Sequence, residues 1–337
     1  MADKKRVVIT TPLSGDRYGD IFVPDIMAEL KQVADVIDND LGRGFTTEEL
    51  ADRAKDCDAI ITSWGTPRID KTIVDNCPKV RFIGHAAGTV KYSFAEEIWD
   101  AGITVTSAAP VMAVYVGEFA LALTLALLRS LPRYGFGAPK DAWKGTPMEG
   151  NQTLHRKTVG IIALSHTGRN YLKLLKPFNC NVIVYDPYCS EERAKELGVK
   201  LVSLEELLST AKVISLHAPV TEETKGMLNA SNLKLIQDGA VFINTARGVL
   251  VNMDDLTAEL STGRFKAGLD VTDPTEPLPE DHPLRQMPNV ILPPHIAGPT
   301  IDGRRDMFQC VVDDLKLFWA GKTPKNVVTK QMLRTMA

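Results

Sequence analysis

The sequence predicts an α/β fold of two domains with parallel sheets, the second domain inserted into the first. Three observations predict it. Short β-branched runs alternate with helical patterns, which is the mark of βαβ units. The alternation runs twice, before and after a long apolar helix with a Pro/Gly-rich passage behind it. A chain of 337 residues also exceeds what one hydrophobic core usually serves. From Gly298 onward the pattern is helical and is expected to fold back over the first half. The domains are therefore assigned as residues 1–107 with 299–337, and residues 108–298.

In the first domain Arg6–Thr10 reads as a strand, Val23–Val33 as a helix and Asp35–Ile37 as a second strand. Thr47–Lys55 reads as a helix with Thr46 or Thr47 as its cap and Glu49 near the third position. Ala59–Ser63 is the next strand, Lys71–Asn76 a helix, Val80–His85 a strand, Ser93–Ala101 a helix and Thr104–Ser107 a strand. A helix of about twenty residues then covers Met112–Leu131, and Pro132–Pro147 reads as a loop. The alternation resumes with Thr158–Ala163 as a strand, Gly168–Pro177 as a helix, Asn181–Tyr185 as a strand and Ser190–Leu197 as a helix. Strands follow at Val213–Leu216 and Ala240–Ile243, a helix at Asp254–Thr262, and strands at Ala267–Val271 and Val290–Leu292.

Composition narrows the function classes. Apolar residues make up 44% and charged residues 24%, as in ordinary globular proteins. The formal charge of −3 comes with no Lys/Arg cluster, which argues against nucleic acid as a partner. The longest uninterrupted apolar run, Phe119–Leu128, is short for a membrane span and is closed by Glu118 and Arg129, so no membrane is expected. The charged N-terminus leads into Val7-Val8-Ile9 without a signal-type apolar region. Five cysteines stand singly, with no metal-type spacing, so reduced thiols and a cytoplasmic setting are expected, with no metal site.

Residues 158–168 form a buried strand, a tight turn and a helix start. That is where a Rossmann domain holds a pyrophosphate, on backbone N–H groups at a helix N-terminus. The glycine fingerprint is altered to Ala163-x-Ser165-x-x-Gly168, so only its third glycine remains. Ser165, His166, Thr167 and Gly168 are the candidate phosphate contacts, the Ser165 hydroxyl replacing a glycine contact with a donor. Asp186 ends the next strand 18 residues beyond Gly168, near the spacing expected of a ribose-binding acid. A carboxylate there accepts from the ribose 2′-OH and repels a 2′-phosphate, so NAD is the expected cofactor.

Further polar residues stand at or past strand ends, where open α/β sheets bind ligands. They lie in Asn244-Thr-Ala-Arg247-Gly248, in Gly268-Leu-Asp270-Val-Thr-Asp273-Pro-Thr-Glu276-Pro, and in Pro294-His295-Ile-Ala-Gly298. With these three runs the chain resembles the D-isomer-specific 2-hydroxyacid dehydrogenases, the family of glyoxylate/hydroxypyruvate reductases and 3-phosphoglycerate dehydrogenases. The resemblance covers nearly the whole chain and is weakest over residues 1–80.

The resemblance implies an NAD-binding Rossmann-like domain inserted into a flavodoxin-like substrate domain. It implies an NAD-dependent oxidoreductase that exchanges hydride with C2 of a small 2-keto/2-hydroxy acid. Arg247, with its planar fork, would hold the substrate carboxylate and carbonyl. His295 would be the general acid/base, and Glu276 would fix its tautomer. Asp270 and Glu276 are spaced one residue further apart than is usual in the family. Asp273 therefore remains an alternative partner acid, and Glu276 is preferred because Pro-Leu-Pro follows it. Ala87, Gly88 and Thr89 would offer backbone N–H groups to the substrate carboxylate. His217 and Pro219 would line the cofactor, and Thr245 and Asp270 would reach the nicotinamide end. A homodimer through the NAD-binding domain is implied, with Met112–Leu131 and the loop after it as the candidate interface. Two other readings stay open: an NAD-sensing binding protein of the corepressor type, and a family member with impaired cofactor binding through Ala163 and Ser165.

Overall fold

The computed structural model describes residues 4–12, 21–134 and 150–336. The chain forms two compact units, one from Met1–Met112 with Pro299–Met336 and the other from Ala113–Gly298. The first contains β1 (Lys5–Pro12), α1 (Pro24–Val33), β2 (Ala34–Asn39), α2 (Thr47–Ala54), β3 (Ala59–Thr62), α3 (Lys71–Asn76), β4 (Phe82–His85), α4 (Glu97–Asp100) and β5 (Thr104–Ser107). Its five strands lie in the order β2-β1-β3-β4-β5, every pair parallel. The helix α5 (Ala109–Leu128) begins in this unit and ends in the second.

The second unit continues with α6 (Leu131–Tyr134), β6 (Thr158–Ile162), α7 (His166–Leu175), β7 (Asn181–Tyr185), α8 (Glu191–Leu197), β8 (Lys200–Leu201), α9 (Leu204–Thr210) and β9 (Val213–Leu216). Then come α10 (Ala230–Leu233), β10 (Val241–Asn244), α11 (Met253–Ser261), β11 (Lys266–Leu269) and β12 (Val290–Ile291). Its seven parallel strands run β12-β11-β10-β9-β6-β7-β8. The order reverses at β6, which lies between β7 and β9. The crevice outside the carboxyl ends of β6 and β9 is thus a switch point, where such sheets take ligands.

Local sequence explains many boundaries. Thr46 is the cap of α2: its hydroxyl accepts from Glu49 N (3.2 Å), and the Glu49 carboxylate accepts from Thr46 N (2.8 Å). The C-terminal helix α12 (Ile301–Trp319) returns to the first sheet. Its Phe308, Val311, Val312 and Leu315 join Val7, Ile9, Ile61 and Phe82 in one core. A Cβ at Gly84 would lie 2.4 Å from the Val311 side chain, so glycine there admits the helix against β4.

Helix α5 has a mean hydropathy of 2.1 and is long and apolar enough to cross a membrane by length and composition. The uninterrupted run Phe119–Leu128 covers only its second half. In the second unit one side of α5 is core: Ala120, Leu123, Leu127 and Leu128 pack with Val159, Ile161, Val241 and Ile243. Thr124 Oγ1 meets Tyr171 OH at 2.9 Å. Its last turn is closed by Lys266, whose ammonium donates to Leu127 O (3.0 Å), Ser130 Oγ (2.7 Å) and Gly150 O (2.8 Å). A cation suits the carbonyl end of a helix.

Several expectations need correcting. Of Ser93–Ala101 only Glu97–Asp100 is α-helical: Ser93 closes a turn onto Val90 O, and Phe94 forms a parallel bridge with Ile69. The long helix starts earlier than Met112, at Ala109, where Ser107 Oγ accepts from Ala109 N (3.1 Å) and Pro110 fits the first turn. It stops at Leu128, and Ser130 turns left-handed (φ 51°) before α6. Residues 132–134 are thus helical rather than loop, and 135–149 lie outside the described residues. Helix α7 also starts earlier than Gly168, because Ser165 caps it. The elements β8, α9 and α10 are additions to the pattern expected from sequence.

Candidate active site

The turn after β6 carries the dinucleotide features. Ala163 is left-handed (φ 71°), a conformation that favours glycine. Ser165 is the N-cap of α7, and its hydroxyl accepts from Gly168 N at 3.3 Å. Helix geometry leaves the first-turn N–H groups of His166 and Thr167 without an intrahelical partner. A Cβ at Gly168 would lie 2.2 Å from the Ala163 carbonyl oxygen, so a side chain does not fit there. The Arg169 guanidinium donates to Leu164 O (2.8 Å) and meets His166 Nδ1 (3.2 Å). Burial, aided by the Arg169 charge, lowers the His166 pKa.

Asp186 directly follows β7. One carboxylate oxygen accepts from Leu164 N (2.8 Å) and the other from Tyr188 N (2.9 Å). It therefore ties its own strand end to the turn of β6. Each carboxylate oxygen has a second lone pair, so these bonds leave acceptors for a ribose hydroxyl.

At the end of β9, His217 is buried, and burial pushes its pKa down to about 3. Its Nε2 meets Ser215 Oγ at 2.9 Å, whereas Nδ1 has no partner among the described residues. Pro219, two residues on, directs its carbonyl to the Thr224 hydroxyl (2.7 Å). Thr245, at the end of β10, is buried with its hydroxyl likewise unpartnered among the described residues. A buried polar atom without a partner costs about 1–3 kcal/mol. Two such atoms at neighbouring strand ends, with the narrow Gly168 turn and the first-turn N–H groups of α7, fit a bound dinucleotide.

The polar residues of the later loops also converge. His295 Nδ1 lies 2.7 Å from Glu276 Oε2, and the other Glu276 oxygen accepts from Thr272 N (2.9 Å). Glu276, rather than Asp273, thus meets the imidazole. The pair is solvent-facing, with the His295 side chain 47% exposed. His295 itself is left-handed (φ 55°). The loop is held by Asp270, which is buried and accepts from Ile296 N (2.9 Å) and Ala297 N (3.0 Å). Burial raises the Asp270 pKa, and those two backbone bonds oppose the rise. Asp270 was expected at the nicotinamide; each of its oxygens accepts one bond from the backbone that follows His295 and keeps a second lone pair. Arg247 follows β10 and donates to Ala246 O (2.6 Å).

Two residues that sequence reasoning passed over shape the Arg247 turn. Asn244 is buried; its amide donates to Arg247 O and its carbonyl accepts from Ala246 N, both at 3.0 Å. An Asn closing a strand before a turn was the available signal. Gly248 touches the next loop backbone to backbone, since a Cβ there would lie 2.1 Å from Thr272 C and O.

In the first unit, Ala87, Gly88 and Thr89 follow β4 at its carboxyl end. Ala87 and Gly88 are buried, and Thr89 Oγ1 accepts from Lys91 N (3.2 Å). The Ser107 hydroxyl donates to Gly88 O. His85 sits beneath the loop, buried, with Nδ1 2.9 Å from Thr62 Oγ1; burial pushes its pKa down to about 4. Among the described residues no group of three His, Cys, Asp or Glu is placed to hold a metal ion. All five cysteines are free thiols.

A parallel sheet with a phosphate-type turn at its switch point, and an imidazole–carboxylate pair on the loops after β11 and β12, places the protein among dinucleotide-dependent oxidoreductases. Comparison with known proteins makes the class specific: the chain belongs to the D-isomer specific 2-hydroxyacid dehydrogenase family, whose NAD binding domain matches residues 121–297. The glyoxylate reductase of Korarchaeum cryptofilum is 33% identical over 290 residues, 85% of this chain and 86% of that protein. The D-3-phosphoglycerate dehydrogenase of Methanocaldococcus jannaschii is 30% identical over 325 residues; these make up 96% of this chain and only 59% of that longer relative. Among solved structures, the TT0316 protein of Thermus thermophilus matches with a TM-score of 0.77 at 31% identity, over 96% of this chain and 100% of that one.

Proposed function

We propose that this protein is an NAD-dependent dehydrogenase that interconverts a small 2-keto acid, of the glyoxylate or hydroxypyruvate type, and its D-2-hydroxy acid. The observation that carries the reading is the 2.7 Å His295–Glu276 contact, on the unit that matches the family's NAD binding domain. Similarity to a glyoxylate reductase at 33% identity supports the substrate class.

An ionised Glu276 can only accept, so Nδ1 of His295 carries a hydrogen and Nε2 is left to move the proton. In reduction, protonated Nε2 gives its proton to the oxygen on C2; in oxidation, neutral Nε2 takes it back. Arg247 holds the carboxylate and polarises the carbonyl. The N–H groups at Ala87, Gly88 and Thr89 hold the carboxylate as well. When bound, the nicotinamide supplies hydride exchange with C2. Ser165, His166, Thr167 and Gly168 hold its pyrophosphate, Asp186 its ribose, and His217, Pro219 and Thr245 line it. Asp270 reaches the nicotinamide end of the cofactor and also holds the His295 loop. Asp186 favours NAD over NADP, because a 2′-phosphate would face its carboxylate. A homodimer through this unit would cover exposed apolar side chains such as Val114 and Leu131, each 47% exposed.

The test is NADH oxidation against glyoxylate, hydroxypyruvate, pyruvate, 2-ketoisocaproate and phosphohydroxypyruvate. Turnover greatest with glyoxylate or hydroxypyruvate is expected. NADH binding with no turnover of any of the five would contradict the reading and favour an NAD-sensing role.

A further inference from the structure

We propose that Met112 is a specificity-determining residue that limits the substrate to keto acids with a small group on C2, namely hydrogen, methyl or hydroxymethyl. The inference rests on the function proposed for this protein, in which Ala87–Thr89 hold the substrate carboxylate.

Gly88 lies in the middle of that loop. A Cβ built on it would sit 2.5 Å from Met112 Cε and 3.6 Å from Met112 Sδ. The thioether methyl therefore fills the space that a side chain at position 88 would take. The register between loop and helix is fixed by Ser107, whose hydroxyl donates to Gly88 O and accepts from Ala109 N at the start of α5 (3.1 Å). One turn further along, Met112 is only half-buried and joins none of the four hydrophobic cores of the described residues. An apolar side chain that covers a backbone loop without entering a core has a surface left for something else to touch.

If the loop N–H groups take the carboxylate, the substituent on C2 is two bonds from the carboxylate carbon, within reach of the Met112 side chain. Methionine is unbranched and fills irregular gaps, so it can close a wall against a small group. A branched or aromatic substituent would need the volume that the thioether occupies. Extra carbon in such a site changes relative kcat/KM by about 10–200-fold per methylene.

The experiment measures kcat/KM of full-length wild type, Met112→Ala and Met112→Phe with NADH and glyoxylate, hydroxypyruvate, 2-ketoisocaproate and phenylpyruvate. Met112→Ala should raise the 2-ketoisocaproate to glyoxylate ratio by about tenfold or more. Met112→Phe should lower the hydroxypyruvate to glyoxylate ratio, so either variant decides the matter if the other fails to fold. Unchanged ratios in a variant that still reduces glyoxylate would overturn the role of Met112 and leave the wider reading standing. A wild type silent on all four acids would overturn the substrate reading itself, and the proposal with it.

Discussion

The strand ends of the two units are fastened with different chemistry. In the cofactor unit carboxylates bind the loops: Asp186 joins Leu164 and Tyr188, Asp270 grips Ile296 and Ala297, and Glu276 joins Thr272 to His295. In the other unit hydroxyls hold the ends of β1, β3, β4 and β5, and a carboxylate, Asp314, accepts from Lys325 N and Asn326 N. Thr10 meets Thr66 (2.8 Å), Ser63 donates to Ala86 O (3.0 Å), Thr62 meets His85 (2.9 Å), and Ser107 bonds Gly88 O. Hydrogen bonds to a charged group contribute about 1.5–3 kcal/mol each, and neutral ones about 1 kcal/mol.

The largest effect that separates the two regions should come from Asp270→Asn. The amide keeps one acceptor but turns an N–H group toward a backbone donor. Stability should fall by about 1–3 kcal/mol. Turnover should fall further than that of a Ser107→Ala control, because the loop released is the one that bears His295. Urea midpoints and kcat measured together decide it, and equal losses of kcat in the two variants would break the contrast.

Acid should act on both regions alike. His85 and His217, one under each sheet end, are held neutral by burial, with pKa values pushed down to about 4 and about 3. The unfolded chain takes up these protons near pH 6.5, so it binds more protons than the folded one below that pH. Their contribution is fully present above about pH 6.5 and is lost as pH falls toward 4 and then 3. By pH 5 the loss is on the order of 2 kcal/mol per histidine. Asp270, whose pKa is raised, has the opposite sign: it loses stability as pH rises above the ordinary carboxylate range. Urea midpoints that stay flat from pH 7 to pH 5 would show that these histidines are not buried as described.

The smallest effect belongs to the altered turn. Ala163→Gly removes a side chain from a left-handed position (φ 71°), so stability should rise by up to about 1 kcal/mol, with a slightly tighter NADH titration. A lower melting temperature would mean that the alanine methyl packs usefully.

Much of the frame was legible because it is local. The double βα alternation, the Thr46–Glu49 box and the strand-turn-helix of residues 158–168 are written in adjacent residues. The polar residues of the later loops were legible because three short runs carry them. What stayed hidden depends on contacts between distant segments. Residues 93–95 stay out of the helix where Ile69 pairs with Phe94. Gly248 matters because Thr272 comes within touching distance, and Met112 because it covers Gly88. The helix α9 is an exception, since its Ser203 cap, which accepts from Glu206 N (3.1 Å), stands in the sequence as a Ser-x-x-Glu pattern.

The central claim is that His295, paired with Glu276, moves the proton while the rest of the unit holds the cofactor. Its most direct test is His295→Ala, assayed for NADH binding by fluorescence titration and for glyoxylate or hydroxypyruvate reduction. Unchanged NADH affinity with kcat lowered by about 10²–10⁴-fold is expected. Turnover within a few-fold of wild type would contradict it and move the proton donor elsewhere in the protein.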